Sequence, residues 1–152
     1  MAAPKSLVTT LNPPSLGPEH PLYSQITIAP IGPNINFITI AGQTASPMVP
    51  SSSPPSAADS KIPHGLRAQM ELSLSRISAC LEASGAKITD MTRLMYYLTE
   101  RAWEEEDALK LVLEVVGKWL QGHRPASVFL VVKALNQPEF LCEFEAEAVV
   151  AR

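Results

Sequence analysis

The segment from residue 140 to residue 150 alternates between two kinds of side chain. Apolar residues fill every even position, and three of the odd positions carry the carboxylates of Glu143, Glu145 and Glu147. A period of two belongs to a β-strand, whose successive side chains point to opposite faces. The chain is therefore predicted to end in a strand with one face in a core and the other face charged.

Prolines divide the rest of the chain into two parts. Twelve of the 14 prolines fall within the first 63 residues, and residues 46–63 alone hold five prolines and six serines. Such a stretch suits neither a helix nor a sheet and buries little apolar surface, so it is predicted to be a long inserted loop. A chain of 152 residues with 46% hydrophobic content supports one core. We predict a single domain over residues 1–152.

Before the loop, the pattern predicts a β-hairpin. Residues 35–41 are rich in β-branched and aromatic side chains and are followed by Gly42, which is typical of a strand. Residues 23–29 are predicted to be the partner strand, joined through a turn at residues 30–34.

After the loop, apolar residues recur at helical spacing and predict an amphipathic helix. The residues predicted to be buried are Leu66, Met70, Leu74, Ile77 and Leu81. Ser84 and Gly85 follow, and glycine commonly ends a helix in the left-handed conformation.

A strand over residues 92–99 and a second helix over residues 103–120 are predicted next. Tyr96 and Tyr97 are expected to pack across strands. Residues 104–107 are all acidic and suit the positive end of the helix dipole, the alternative being a metal cluster. The buried stripe of this helix is predicted to be Leu109, Leu113, Val116 and Leu120.

Residues 127–135 are almost wholly apolar, which is typical of a strand in the middle of a covered sheet. Right-handed crossovers would place both helices on one face of a mixed sheet, which predicts an α+β fold. The other face must be solvated or covered by another subunit. The apolar strand favours the second arrangement, a homo-oligomer.

Net charge, the length of apolar runs and the spacing of the cysteines argue against several classes of protein. A formal charge of -3 lacks the basic stripe of a nucleic-acid-binding protein. The first residues lack a signal-peptide core and no apolar run has membrane length, so we expect a cytoplasmic protein with no membrane partner. Cys80 and Cys142 have no metal-ligand spacing and are expected to be buried thiols, without a metal site.

Five short motifs occur in an order and spacing that point to a known family. They are Tyr23-Ser24-Gln25, Ile40-Ala41-Gly42-Gln43, Gly85-Ala86 with Asp90 five residues after the glycine, Pro125-Ala126, and Glu143-Phe144-Glu145-Ala146-Glu147-Ala148. Together they resemble the YjgF/Rid (reactive intermediate deaminase) family from about residue 20 to the C-terminus. The resemblance implies a chorismate-mutase-like α+β fold, with two helices on one face of the sheet, and a homotrimer with clefts at its subunit interfaces.

The resemblance also implies a site. In the family, an arginine binds the substrate carboxylate, a glutamate positions the attacking water, a tyrosine contacts substrate across the interface, and a strand-end glycine lies beside the ligand. The last three fall on Glu143, Tyr23 and Gly42 of this chain, whereas the arginine is replaced by Ser127.

Ser127 changes the expected chemistry. A hydroxyl cannot pair with a carboxylate as a charge, so a substrate anchored in this way would lose roughly 1.5–3 kcal/mol or more. Phe129, two residues later, would make the cleft more apolar. His123 and Arg124 are candidates to replace the lost charge.

These residues lead us to expect a cofactor-free enzyme, in a dedicated or secondary-metabolic pathway, rather than a standard imine deaminase. Tautomerisation, cyclisation, hydration and imine or enamine hydrolysis of a small molecule are the candidate reactions. Glu143 would carry the proton, and Tyr23 or Ser127 would orient the substrate. The alternative is a trimer that binds a metabolite without chemistry. Endoribonuclease activity, attributed to some relatives, conflicts with the acidic charge.

Overall fold

The computed structural model describes residues 6–48, 61–105 and 107–151. The centre of the predicted loop, residues 49–60, lies outside the described residues. The strands are β1 (Thr9–Leu11), β2 (Ile26–Gly32), β3 (Ile35–Thr44), β4 (Met91–Thr99), β5 (Ala126–Val132) and β6 (Cys142–Ala151). The helices are α1 (Leu66–Ala83), α2 (Glu100–Glu105) and α3 (Ala108–Leu120).

All six strands form one mixed sheet in the order β1-β2-β3-β6-β4-β5. β4 and β5 are parallel, and the other neighbours are antiparallel. α1 packs on β3 and β6, and α3 packs against α1. The predicted mixed α+β architecture is confirmed.

β6 is a central strand with two unlike faces, as its alternation predicts. Phe144, Ala146 and Ala148 are fully buried among the core residues, whereas Glu143, Glu145 and Glu147 are half-buried on the other face. Because α1 packs on β6 and the alternate residues of this strand form the core, its carboxylates face away from the helix-covered side. This arrangement places a negatively charged row along the second face of the sheet.

The hairpin is tighter than predicted. β2 begins at Ile26 and continues to Gly32, so only Pro33 and Asn34 separate it from β3. Pro30 can lie within β2 because β1 pairs with residues 26–28 alone, and the missing N–H of proline is tolerated on an unpaired edge. The three-residue strand β1 has no pattern that predicts it.

α1 has the predicted buried face and the predicted end. All five of the apolar residues assigned to its core face are at most 2% exposed. Gly85 follows the helix with φ of 75°. The amide of Ala86 donates to the carbonyl of Leu81 at 2.8 Å, and the amide of Gly85 donates to the carbonyl of Glu82 at 3.0 Å, which is the Schellman pattern.

The second predicted helix is two helices, and part of its predicted stripe is wrong. α2 ends at Glu105, and Asp107 is the N-cap residue of α3. Leu109 and Leu113 are 50% and 69% exposed, and the buried residues of α3 are Ala108, Val112, Val115 and Val116. Apolar residues surround most of this helix, so periodicity alone permits either register. The indole of Trp119 donates to the hydroxyl of Ser78 on α1 at 2.9 Å, which fixes the rotation observed.

β5 lies at the edge of the sheet, so the prediction of a central strand is wrong. Within the described part of the chain it pairs with β4 alone, and Leu130 and Val131 are 48% and 43% exposed. The terminal strand β6 inserts on the other side of β4 and takes the central place. Coverage of the apolar residues of β5 by another subunit stays a prediction.

The two cysteines are free and buried, as predicted. Burial raises the pKa of the Cys80 and Cys142 thiols to about 12, so both are protonated at neutral pH. Among the helices of the described chain, none has the length and apolar character needed to cross a membrane.

Gln69 connects α1 to the segment that precedes β6. Its side-chain oxygen Oε1 accepts a hydrogen bond from the backbone amide of Leu141 at 2.8 Å. Its side-chain nitrogen Nε2 donates to the backbone carbonyls of Glu139 and Pro63 at 2.9 Å and 3.1 Å. The side chain is 3% exposed. It therefore satisfies three backbone groups in a place that water reaches poorly.

Replacing Gln69 with leucine is expected to reduce the free energy of unfolding by about 2–4 kcal/mol, because three backbone groups lose their partner. Urea denaturation measures the change. Gln137→Leu is the matched control, since this exposed side chain makes no recorded hydrogen bond in the described part of the chain. Equal stability of the two variants would contradict the assigned role of Gln69.

Candidate functional site

A polar cleft opens at the edge of the sheet where β3 ends and β6 begins. Its volume is about 440 Å³. Ten residues line it: His20, Tyr23, Ala41, Gly42, Thr44, Ser46, Asn136, Gln137, Phe140 and Glu143. The fold thus brings together Tyr23, Gly42 and Glu143, three predicted site residues from separate segments.

Gly42 lies against the carboxylate of Glu143. The register between β3 and β6 shifts between Ile40 and Gln43, so that Ala41 and Gly42 together oppose one residue of β6, as in a β-bulge. A Cβ atom on Gly42 would overlap Oε1 of Glu143. Glycine is therefore the residue that leaves room for the carboxylate at this position.

Glu143 is the one acidic residue among those that line the polar cleft. Burial raises its pKa, and the neighbouring carboxylate of Glu145 raises it further. Tyr97 lies opposite Glu143 on β4, and its pKa is also raised, by burial and then by Glu145 and Glu143. A carboxyl group with a raised pKa can give and take a proton closer to neutral pH than ordinary glutamate.

Tyr23 stands at the mouth of the polar cleft, before β2 rather than inside the strand that was predicted from residue 23. Its ring stacks on that of His20, with centroids 4.2 Å apart and an interplanar angle of 27°. The side chain is 49% exposed. His20 was not predicted, because a single histidine between prolines carries no pattern.

A buried polar network supports the floor of the polar cleft. Gln43, 1% exposed, donates from its amide nitrogen to Oε1 of Gln25 at 2.7 Å and to the carbonyl of Ala41 at 2.9 Å. Its oxygen accepts from Nε of Arg76 at 3.0 Å, and Nη1 of Arg76 donates to the carbonyl of Ser46 at 3.1 Å. Burial lowers the pKa of Arg76. The network holds β3, α1 and the segment after β3 in one arrangement.

Ser127 and Phe129 lie away from the polar cleft of their own chain. Glu143 pairs with Tyr97 of β4, and Tyr97 pairs with Leu130 of β5. Ser127 is three residues before Leu130, so its backbone is roughly 14 Å from that of Glu143, and the odd offset puts the two side chains on opposite faces.

Phe129 belongs to a row of aromatic rings on the helix-covered face. Its ring centroid is 5.2 Å from that of Tyr96 and 5.9 Å from that of Trp103, and Tyr96 also stacks on Phe144 at 5.9 Å. The predicted cross-strand packing of Tyr96 is confirmed. Because β5 is the edge strand, one end of the row reaches the outer edge of the sheet.

The loop before β5 contains the remaining predicted residues. Nε2 of His123 lies 2.8 Å from the carbonyl of Met91, so this ring is engaged with the start of β4. Arg124 is exposed. The hydroxyl of Ser127 is exposed as well and donates to the carbonyl of Pro125 at 3.1 Å.

The predicted acidic run falls on two helices of the structure, and its residue 106 lies outside the described residues. Glu104 belongs to α2 and Asp107 precedes α3. Within residues 6–48, 61–105 and 107–151, no group of three or more His, Cys, Asp or Glu side chains is arranged to hold a metal ion.

Replacing Gly42 with alanine is expected to displace the Glu143 carboxylate with little loss of stability. The overlap involves the end of a flexible side chain, which can rotate away for about 1 kcal/mol or less. NMR titration should then find the pKa of Glu143 closer to that of ordinary glutamate, because the carboxyl group becomes more exposed.

Gly117→Ala is the control for this substitution. Gly117 lies on α3 with no neighbouring atom within 4 Å of an added Cβ, so this variant should leave the pKa of Glu143 unchanged. An unchanged Glu143 pKa in Gly42→Ala would show that the close approach does not hold the carboxyl group in place.

Comparison with known proteins identifies the family. The model of the family described as Endoribonuclease L-PSP matches residues 18–150. The chain belongs to the YjgF/L-PSP family. A search of curated proteins finds no match.

Several solved structures share the fold of this chain. Rv2704 of Mycobacterium tuberculosis, a member of the YjgF/YER057c/UK114 family, is 26% identical, with a TM-score of 0.68 over 94% of this chain and 99% of its own. Yeast Mmf1 is 18% identical, with a TM-score of 0.72 over 93% and 98%. E. coli TdcF, crystallised with bound serine, is 22% identical, with a TM-score of 0.66 over 96% and 99%.

Proposed function

We propose that this YjgF/L-PSP protein is a cofactor-independent enzyme that performs acid/base chemistry on a small molecule. The observation that carries the proposal is the carboxyl group of Glu143, with its raised pKa, held against Gly42 in the polar cleft. A group of this kind is suited to proton transfer in tautomerisation, cyclisation, hydration or the hydrolysis of an imine or enamine.

The reaction needs a group that carries a proton. It also needs a hydrogen-bond donor to the substrate atom on which negative charge develops. For a tautomerisation, Glu143 removes a proton from the carbon beside a carbonyl or imine, and the electron pair moves onto the oxygen or nitrogen. The phenol of Tyr23 donates a hydrogen bond to that atom. Protonated Glu143 then returns the proton at the other end of the conjugated system, so no external reactant is consumed.

The complete site is proposed to form between subunits of a homotrimer. Ser127 and Phe129 lie on the opposite face from Glu143 in their own chain, yet at the exposed edge strand β5. The edge of one subunit meeting the polar cleft of the next would bring them to Glu143. The exposed Leu130 and Val131 support contact between subunits along this strand.

The substrate is proposed to differ from that of a standard imine deaminase. Ser127 offers one hydroxyl donor where a guanidinium would offer two charged donors in a fork. Arg124 is near enough in the chain to contribute charge, but it is exposed, and His123 already contacts the carbonyl of Met91. A carboxylate at this position would therefore be bound weakly.

A metabolite-binding trimer without chemistry is the second candidate. The specific observation in its favour is that TdcF, a protein of the same fold, was crystallised with bound serine. A cleft of about 440 Å³ in the present chain has the size of a small-molecule site.

Proton exchange in D₂O tests the two candidates. The protein is incubated with a panel of small ketones, imines and enamines with and without a carboxylate, and deuterium incorporation and product formation are followed by NMR. An enzyme of the proposed kind accelerates exchange or conversion of at least one compound that lacks a carboxylate on the carbon of its reacting carbonyl or imine. Compounds that raise the melting temperature and are recovered without deuterium would instead favour the binding protein.

Ribonuclease action is a separate outcome, because the matching family model is described as an endoribonuclease. The acidic chain and its half-buried row of glutamates oppose the binding of a phosphate backbone. RNA that stays intact on incubation with the protein is expected. Cleavage that is lost in Glu143→Gln would overturn the small-molecule proposal.

A further inference from the structure

A second cavity lies beside the polar cleft and is lined by two cations. Its volume is about 200 Å³, and Arg101 and Lys133 both line it, together with Thr99 and Phe140. We call it the basic pocket. Arg101 also lines the adjoining cavity that contains His64 and Glu139.

Sheet topology explains why the two cations converge. Thr99 is the last residue of β4 and pairs with Val132, the last residue of the parallel strand β5. Arg101 follows two residues after Thr99, and Lys133 directly follows Val132. Because parallel strands present their carboxyl ends at the same edge, both cations extend from one end of the sheet, where ligands of parallel sheets commonly bind.

Neither cation is neutralised within the described part of the chain. The one ion pair recorded there joins Arg67 to Glu114, and neither Arg101 nor Lys133 has a carboxylate within ion-pairing distance among the described residues. Glu139 is the one acidic residue that lines the adjoining cavity. Both cations are exposed and line one small cavity, so an anion bound there would be attracted by both charges.

The basic pocket and the polar cleft share walls. Phe140 and Gln137 line both, and Phe140 is 3% exposed. A ligand that extends past these two residues would have one end at Glu143 and the other at Arg101 and Lys133. The two cavities thus adjoin, with an acid/base group in one and positive charge in the other.

The geometry points to the basic pocket as the binding site for an anionic group of the substrate, a carboxylate or a phosphate. Its role as a substrate anchor rests on the proposed function, whereas anion binding itself does not. The substrate class is an elongated anion whose reactive carbonyl or imine lies at Glu143 and whose charge lies beyond Phe140. The charge is thus held at a different place from Ser127.

Calorimetric titration at low ionic strength tests the site with two probes, inorganic phosphate and glutarate. The wild-type protein is expected to bind at least one of them saturably. The tighter probe identifies the phosphate or the carboxylate as the preferred group. Arg101→Gln and Lys133→Gln should each weaken that binding at least about tenfold, because each removes a charged hydrogen bond.

Two controls separate this proposal from non-specific attraction and from the proposed chemistry. Lys110→Gln removes an exposed charge on α3 and should leave binding unchanged. Glu143→Gln should bind the probe at least as tightly as the wild type, so anion binding persists if the proposed acid/base function fails. Absence of saturable binding to both probes, or equal weakening by all three charge-removing substitutions, would overturn the basic pocket as a site.

Discussion

Glu143→Gln should lower catalysed turnover by about 100- to 10,000-fold, the usual contribution of a positioned general acid or base. Glutamine has the shape of glutamate, so it retains the packing against Gly42 but does not exchange a proton at neutral pH. Deuterium exchange with a substrate found in the D₂O panel measures the loss. The assembly state of the variant, followed by analytical ultracentrifugation, should equal that of the wild type.

The same variant should be more stable than the wild type at neutral pH. Burial and Glu145 raise the pKa of Glu143 in the folded protein above its ordinary value of 4.5, so the folded state holds the proton more tightly than the unfolded state. Wild-type stability is therefore lost as pH rises from the unfolded pKa through the folded pKa. Glutamine has no charged form to bury, and its advantage should vanish near pH 4.

Glu147→Gln is the matched control for both measurements. Glu147 lies on the same face of β6, four residues from Glu143 and outside the lining of the polar cleft. It should retain turnover within a few-fold of the wild type. Equal loss of turnover in the two variants would show that the charge of the row, rather than the proton of Glu143, supports the reaction.

The sequence predicts the elements whose pattern admits one solution. The alternation of residues 140–150 permits only a strand with one buried face, and β6 has that face. The spacing of Leu66, Met70 and Leu74 permits only one helical stripe, which α1 buries. In both segments, slipping by one residue would expose the apolar side chains, so local pattern and tertiary packing agree.

Where apolar residues surround an element, the pattern no longer determines its position. α3 carries leucines and valines on adjacent stripes, and contact with α1 buries the valines and leaves Leu109 and Leu113 exposed. β5 is apolar on both faces, which suggests a central strand, yet β6 takes the central place. Burial within one chain and burial between subunits both require apolar residues, so the sequence pattern does not distinguish them.

Only part of the candidate site was predicted. Motifs identify residues, but they do not determine on which face of the sheet each side chain lies. Tyr23, Gly42 and Glu143 converge in the polar cleft, and the family resemblance located them. The register that puts Ser127 and Glu143 on opposite faces depends on how β4, β5 and β6 pair. His20 lies in a loop, Lys133 directly follows β5, and Arg101 lies in the short helix α2. Local periodicity does not predict that such positions converge.

Ser127→Arg should raise the hydrolysis of a carboxylate-bearing imine by about 10- to 100-fold, the value of one charged hydrogen-bonding pair. The exposed Ser127 hydroxyl donates only to the carbonyl of Pro125 among the described residues, so little structure is lost. An amino-acid oxidase generates the imine in solution, and ammonia release is measured with and without the protein. Ser127→Gln supplies a polar side chain without charge and should stay at the wild-type rate.

A mixing experiment then tests whether Ser127 and Glu143 act across a subunit interface. The double variant Ser127→Arg/Glu143→Gln lacks the proton carrier and should be inactive by itself. Unfolded and refolded together with the wild type, it should form mixed assemblies of the proposed homotrimer in which its guanidinium faces a wild-type Glu143. Ammonia release should then exceed that of either protein alone. If each site were built from one chain, no mixture would combine the two groups, and the rate would not rise above that of the wild-type share. Because the backbones of the two residues are roughly 14 Å apart within one chain, a gain on mixing would require the edge of β5 to meet the polar cleft of a second copy.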